Sequence, residues 1–190
     1  MELSIVTTLY KSEAFIEPFW TRITAAAQAI TSDFEIIMVN DGSPDTENLE
    51  KTLASYFEKI VYVKQINGGA AAARNTAIEA ARGEFLAFLD GDDLWLPEYL
   101  ASQLKALAEK DCDLIYCNAI LFGDLRGAVE TFMDKSPSAG RVTTESLIDG
   151  TCNVITSGTL VKREKVLRAG MFDAGLPPIG MEDFDLWFRL

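Results

Sequence analysis

Apolar residues fall in short blocks separated by amphipathic stretches, and the two kinds of segment alternate along the first half of the chain. LSIVTTL (3–9) is a compact run rich in β-branched residues, the mark of a strand. Behind it Phe15, Phe19, Ile23 and Ala26-Ala27 recur at three- and four-residue spacing, which predicts a helix with one buried face. FEIIMVN (34–40) predicts a second strand, closed by the dense turn signal Asp41-Gly42-Ser43-Pro44. A helix over 45–57, a strand over 60–66, an alanine-rich helix between Asn67-Gly68-Gly69 and Arg82-Gly83, and a strand over 84–90 complete the series. Near-continuous apolar strands separated by helices predict a parallel sheet covered on both faces. Ligands of such sheets bind beyond the carboxyl ends of the strands. Asp41-Gly42-Ser43 and Asp90-Gly91-Asp92-Asp93 are therefore expected to face one crevice.

The second half is less regular. A helix is predicted from Pro97 to Lys110, then strands over 113–121 and 153–161, a helix over 162–170 stopped by Gly170, and a Pro/Gly loop over 172–181 before a last helix. The stretch 122–142 mixes Gly, Asp, Ser and Pro with isolated apolar residues and predicts a hairpin or a loop over the site. Without linker or repeat, the chain reads as one domain, 1–97 holding a ligand and 98–190 supplying the remaining function. The final residues, Asp185 to Leu190, carry a helical pattern with no stop signal, so the helix is expected to continue beyond them.

Composition narrows the chemistry. With 48% hydrophobic residues, the 190-residue chain can bury a sizeable core. Seventeen Lys and Arg against 29 Asp and Glu leave a formal charge of −12, which argues against a sequence-independent grip on nucleic acid. The absence of histidine removes Ser-His-Asp and Cys-His mechanisms and His-ligated zinc, and leaves carboxylate chemistry with or without a metal. Cys112, Cys117 and Cys152 form no CxxC pair and read as reduced thiols. No apolar run reaches the length of a membrane span and the N-terminus lacks a basic leader, so a cytoplasmic protein is expected. Lys162, Arg163, Lys165 and Arg168 read as a solvated helix face, with peripheral membrane contact as the alternative.

Three short motifs carry candidate chemistry, each beside a plainer reading. The carboxylates of Asp90-Gly91-Asp92-Asp93 repel one another unless a cation sits among them, and Mg²⁺ or Mn²⁺ uses one or two carboxylates together with substrate phosphates. Gly91 permits a sharp turn and close approach of a ligand. The plainer reading is an acidic turn in which Asp93 caps the next helix. Asp41 either accepts the imide N–H of a uracil or, with Ser43, makes an Asx turn that caps the following helix. Asn67-Gly68-Gly69-Ala70 lets a helix N-terminus lie close to a ligand, with Arg74 one turn on, or is simply a tight turn. Glu182-Asp183 either complements the dipole of the last helix or supplies the general base that a chain without histidine needs.

Taken in order, VTTLYKSEAFI (6–16), IIMVNDGSPDT (36–46), NGGAAAARNTAIEAARGEFLAFLDGDDLWLP (67–97) and GMEDFDLWFRL (180–190) resemble the family 2 glycosyltransferases of GT-A fold. The resemblance implies an α/β, Rossmann-like, mostly parallel sheet flanked by helices on both faces. It implies metal-dependent, inverting transfer of a sugar from a nucleotide-sugar donor, UDP favoured, to a hydroxyl of a saccharide or lipid-linked saccharide, in surface polysaccharide or glycoconjugate synthesis. It assigns Asp90 and Asp92 to the Mn²⁺ or Mg²⁺ on the diphosphate, Asp41 to the base, and Thr8 and Tyr10 to the nucleoside pocket. Arg74 becomes a further nucleotide contact and Asp183 the catalytic base. Asn40 stands where many members carry an aspartate. The rival reading is a module of the same fold that binds a sugar nucleotide without transferring it.

Overall fold

The computed structural model describes residues 2–123, 130–138, 140–177 and 180–190. Its elements are β1 (Leu3–Leu9), α1 (Ile16–Gln28), β2 (Phe34–Asp41), α2 (Thr46–Leu53), β3 (Val61–Gln65), α3 (Gly69–Ala80), β4 (Phe85–Phe88) and α4 (Tyr99–Lys110). They continue with β5 (Leu114–Tyr116), α5 (Phe132–Lys135), α6 (Thr144–Ile148), β6 (Thr159–Lys162), α7 (Arg163–Arg168) and α8 (Glu182–Arg189). The six strands form one sheet in the order β3-β2-β1-β4-β6-β5. β3, β2, β1 and β4 are parallel. β6 runs against both of its neighbours, so the sheet is mostly rather than wholly parallel.

The two faces of the sheet carry separate cores, as the alternation of side chains along a strand requires. On one face Leu3, Ile5 and Leu9 pack with Phe19 and Ile23 of α1 and Leu100 and Leu107 of α4. On the other Val6, Ile37, Val39 and Phe88 meet Ala73, Ala77 and Ile78 of α3 and Leu186 and Trp187 of α8. The helix period continues into α1, but Phe15 does not share its buried face: it lies on a 3₁₀ turn (Glu13–Phe15) and is exposed, and Ile16 takes the inward position.

Three predicted elements are shorter than the apolar pattern suggests. α2 ends at Leu53, not at 57. β5 holds only Leu114–Tyr116 of the predicted 113–121, because Gly158 O takes the Cys117 N–H and the chain then leaves the sheet. Within the stretch 122–142, predicted as a hairpin or a loop, Thr131 bridges Ile120 in antiparallel sense and α5 follows, while residues 124–129 and 139 lie outside the described set. The predicted strand 153–161 pairs only from Thr159, since Thr156–Gly158 form a 3₁₀ turn.

The parallel strands bring the carboxyl ends of β1, β2 and β4 to one edge. The turn after β2 owes its shape to Asn40 rather than to Asp41. Asn40 Oδ1 accepts the Ser43 N–H (2.9 Å), while its amide donates to Thr46 Oγ1 and Tyr62 Oη, both at 2.9 Å. Ser43 Oγ accepts the Lys11 N–H instead of capping α2. Gly42 has φ +65°, and a Cβ there would stand 2.7 Å from Asn67 N, so this turn fits only glycine.

Asn40 is fully buried, and the hydroxyl hydrogens of its two partners are already given to Glu50 and to Ser43 O. Burial, with Glu50 beside it, pushes Tyr62 up to about 12, so the phenol stays protonated at neutral pH. Asn40→Asp therefore replaces two donors with acceptors facing acceptors. The expected loss is about 2–3 kcal/mol at pH 7. The new carboxyl has a raised folded pKa, so the loss shrinks as pH falls below neutrality. Urea unfolding of both proteins at pH 7 and pH 5 measures the difference.

Candidate active site

Arg74 sits in the second turn of α3 and is 8% exposed. Its Nη2 donates to Asp90 Oδ1 (2.8 Å) and its Nη1 to Glu182 Oε1 (2.9 Å). The guanidinium also lies 5.5 Å from the centre of the Phe172 ring. Burial works against its charge, but Asp90 and then Glu182 more than offset that and hold its pKa above the ordinary value. Asn75, the next residue, exchanges two hydrogen bonds with the backbone of Phe172. The Arg74-Asn75 pair thus ties the turn after β4 to the segment that enters α8.

The Asp90–Asp93 turn is built against two supports. Asp90 N–H donates to Ser157 Oγ (3.0 Å), and a Cβ on Gly91 would meet Ser12 Oγ at 3.0 Å and Thr8 O at 3.1 Å. Gly91 is needed for that close approach and has no left-handed backbone. Asp93 does not cap α4, whose preceding residue is Glu98; it is half-buried against the Ser157 hydroxyl. Burial pushes its carboxyl up, and the neighbouring Asp90 and Asp92 add to the rise. Asp92 is exposed and makes no hydrogen bond or ion pair among the described residues.

Among the described residues no group of three or more Cys, Asp or Glu side chains is arranged to hold a metal by itself. What the turn offers is the free Asp92 carboxylate and the second oxygen of Asp90. Two hard oxygen donors fit Mg²⁺ or Mn²⁺ that takes its other ligands from a diphosphate and water.

At the start of α8, Asp183 Oδ1 accepts the Phe184 N–H (2.7 Å) and Oδ2 accepts from Thr156 Oγ1 (3.1 Å). Burial pushes this carboxyl up, while those two hydrogen bonds oppose the rise. Glu182 adds to the rise and Arg74 counters it. The loop before the helix includes Pro178 and Ile179, which lie outside the described residues.

Asp41 is buried, and its carboxylate is occupied from below. Oδ1 accepts from Gln65 Nε2 (2.7 Å) and Gly68 N (2.9 Å), and Oδ2 from Gly69 N (2.9 Å). It therefore fastens the end of β2 to the N-terminus of α3. Thr8 is half-buried at the end of β1, and Tyr10 beyond it is exposed with Lys11 Nζ 5.5 Å from its ring.

The structure thus brings Asp90, Arg74, Glu182 and Asp183 into one connected set. Sequence reasoning missed Thr156 and Ser157, which touch Asp183 and Asp90. The one available signal was a Thr-Ser-Gly turn signature inside an apolar run. The basic run around α7 is partly paired: Lys162 and Lys165 share Asp113 at 2.8 Å, Arg168 meets Glu164 at 3.3 Å, and Arg163 contacts the Ile78 carbonyl at 3.5 Å. Beside the acidic turn opens a cavity of about 850 Å³, its walls including Leu94, Trp95, Leu96, Tyr99, Ile120 and Phe122.

Residues 4–166 match Glycosyl transferase family 2. The chain is 38% identical over 117 residues to the uncharacterized glycosyltransferase EpsJ of Bacillus subtilis, covering 60% of this chain and 33% of EpsJ. It spans about a third of that relative's length. Its fold is that of Staphylococcus aureus TarS residues 1–349 in complex with UDP, with a TM-score of 0.73 and 20% identity over 97% of this chain and 54% of that one. It is also that of the mannosyltransferase PcManGT of Pyrobaculum calidifontis in complex with GDP-Man and Mn²⁺, with a TM-score of 0.64 and 18% identity over 96% of this chain and 50% of that one. At these identities the likeness is one of fold.

Removing the cation from a buried cluster leaves its carboxylates uncompensated. Arg74→Met, which keeps most of the volume, is expected to cost about 2–3 kcal/mol. That is below the scale of a fully enclosed pair because Asp90 is about a third exposed. Urea midpoints compared with wild type check it.

Proposed function

The chain belongs to glycosyl transferase family 2, and from that premise we propose that it transfers a sugar from a UDP-sugar to an acceptor hydroxyl in one inverting step. The observation that carries the reading is the Arg74 bridge, which sets the Asp90–Asp93 turn and the Glu182-Asp183 pair on one crevice at the carboxyl ends of the strands. Neither pair of carboxylates alone specifies a transferase; their juxtaposition supplies a diphosphate site next to a base.

Asp92 and Asp90 Oδ2 would hold a divalent cation, which would supply charge neutralisation of a diphosphate against an acidic protein and Lewis-acid stabilisation of the departing nucleoside diphosphate. Arg74 serves the nucleotide through Asp90, whose carboxylate it orients. Asp41 has about four lone-pair sites and spends three on Gln65, Gly68 and Gly69, leaving one to accept a uracil imide N–H. Tyr10 and Thr8 lie beside it at the end of β1. Asp183 takes the proton of the acceptor hydroxyl as that oxygen attacks the anomeric carbon. A carboxyl raised by burial is a stronger base than a free aspartate, and the rate falls as pH drops through its raised pKa. The acceptor is a saccharide or lipid-linked saccharide presented on the 98–190 side of the crevice, with the chain acting in the cytoplasm.

UDP is expected to bind by calorimetry in the presence of Mn²⁺ and to lose most of that affinity in EDTA. Asp92→Asn weakens the metal-dependent binding and the turnover together; equal affinity in both proteins removes Asp92 from the metal site. Asp183→Asn leaves UDP–Mn²⁺ binding near wild type while transfer falls by roughly 10²–10⁴-fold. Tight metal-dependent binding of UDP with no turnover in the wild type points instead to a binding module.

A further inference from the structure

Thr156, Ser157 and Gly158 form a three-residue turn held from several directions at once. Ser157 O accepts the Trp95 Nε1 hydrogen (2.8 Å), and Gly158 O accepts from Gln103 Nε2 (3.0 Å) and from Cys117 N (3.1 Å). Thr159 Oγ1 closes the turn onto Ile155 O (2.7 Å). A Cβ on Gly158 would press on Cys117 O at 3.2 Å, so the turn is closely packed against the Cys117 backbone. From this anchored piece two adjacent side chains reach the two halves of the site. Ser157 Oγ takes the Asp90 N–H, and Thr156 Oγ1 donates to Asp183 Oδ2.

We propose that Thr156 is the positioning residue of the base: its hydroxyl, fixed by the turn, sets the orientation of the Asp183 carboxylate relative to the Asp90–Asp93 turn. The inference rests on the reading of Asp183 as base. The Phe184 N–H alone holds one oxygen and leaves the carboxyl free to turn about that contact. The Thr156 hydroxyl holds the second and removes that freedom, and each oxygen keeps a lone pair for an acceptor hydroxyl. A base misplaced by about 1 Å can cost roughly 10²-fold in rate, so a rigid anchor matters more here than the bond's own strength. Thr156 is 5% exposed, so water does not readily replace its hydroxyl.

The charged groups that face Asp183 are Arg74 from α3 and Glu182 on its own helix, and neither is altered by a change at Thr156. The hydroxyl bonds to the ionised form, so removing it raises the Asp183 pKa. The test is a ¹³C NMR titration of the Asp183 carboxyl in the full chain, with UDP release from UDP-GlcNAc and Mn²⁺ as the kinetic probe. Thr156→Val is expected to move the titration up by about one unit. It is also expected to lower kcat for UDP release about tenfold or more with KM unchanged. Thr156→Ser, which keeps the hydroxyl, restores both, and Thr156→Ala stands in for Val where the latter does not fold. An Asp183 titration unchanged in Thr156→Val or Ala, or shifted equally in Thr156→Ser, overturns the inference. The failure of the base reading is separate: Asp183→Asn then releases UDP at the wild-type rate.

Discussion

A single guanidinium, that of Arg74, decides how the Asp90–Asp93 turn and the start of α8 face each other. It is buried, yet its charge is tolerated because carboxylates pair with it from both sides, one from the turn after β4 and one from the start of α8. A buried pair of this kind adds little net stability, since desolvation consumes most of the attraction. What it confers is geometry: either carboxylate that moves away gives up its charge-assisted bond to Arg74. The aromatic floor of Phe172 and the two hydrogen bonds from Asn75 extend that constraint into the loop before α8.

The remainder of the crevice follows the same economy of donors. Asp41, which sequence reasoning places at the nucleotide base, also captures the first N–H groups of α3, where the helix dipole favours a negative charge. Asn40 beside it supplies two hydrogen-bond donors that an aspartate lacks. Gly42 lets its turn pack against the Asn67 backbone closer than a side chain allows, and Gly91 lets the second turn sit close against Ser12 and the Thr8 carbonyl. The chain carries twelve more negative than positive charges. In this site the acidic groups are paired inward wherever they are buried, and Asp92, the one left exposed in the turn, faces solvent.

Much of this was legible from residue order. The alternation of apolar blocks and helical periods placed β1 to β4 and α1 to α4 nearly as they stand, because buried parallel strands have a plain signature. The Asp90–Asp93 turn and the Glu182-Asp183 pair were both visible as candidate chemistry. Three things were not visible. The antiparallel β6 could not be told from a parallel strand, since direction leaves no periodicity. The Thr156–Gly158 turn was hidden inside an apolar run, its polar atoms spent on groups distant in sequence: Asp90, Trp95, Gln103 and Asp183. The Arg74 bridge joins residues 108 positions apart, and nothing local announces such a pairing.

In the proposed reading, the Arg74 bridge holds a metal-dependent diphosphate site beside a carboxylate base. Anomalous diffraction from crystals of this chain grown with UDP and Mn²⁺ tests it most directly. One Mn²⁺ peak is expected within coordinating distance of Asp92 and the diphosphate, with Arg74 still joined to Asp90 and Glu182. A peak remote from Asp90 and Asp92, or Arg74 withdrawn onto phosphate with Glu182 released, would contradict it.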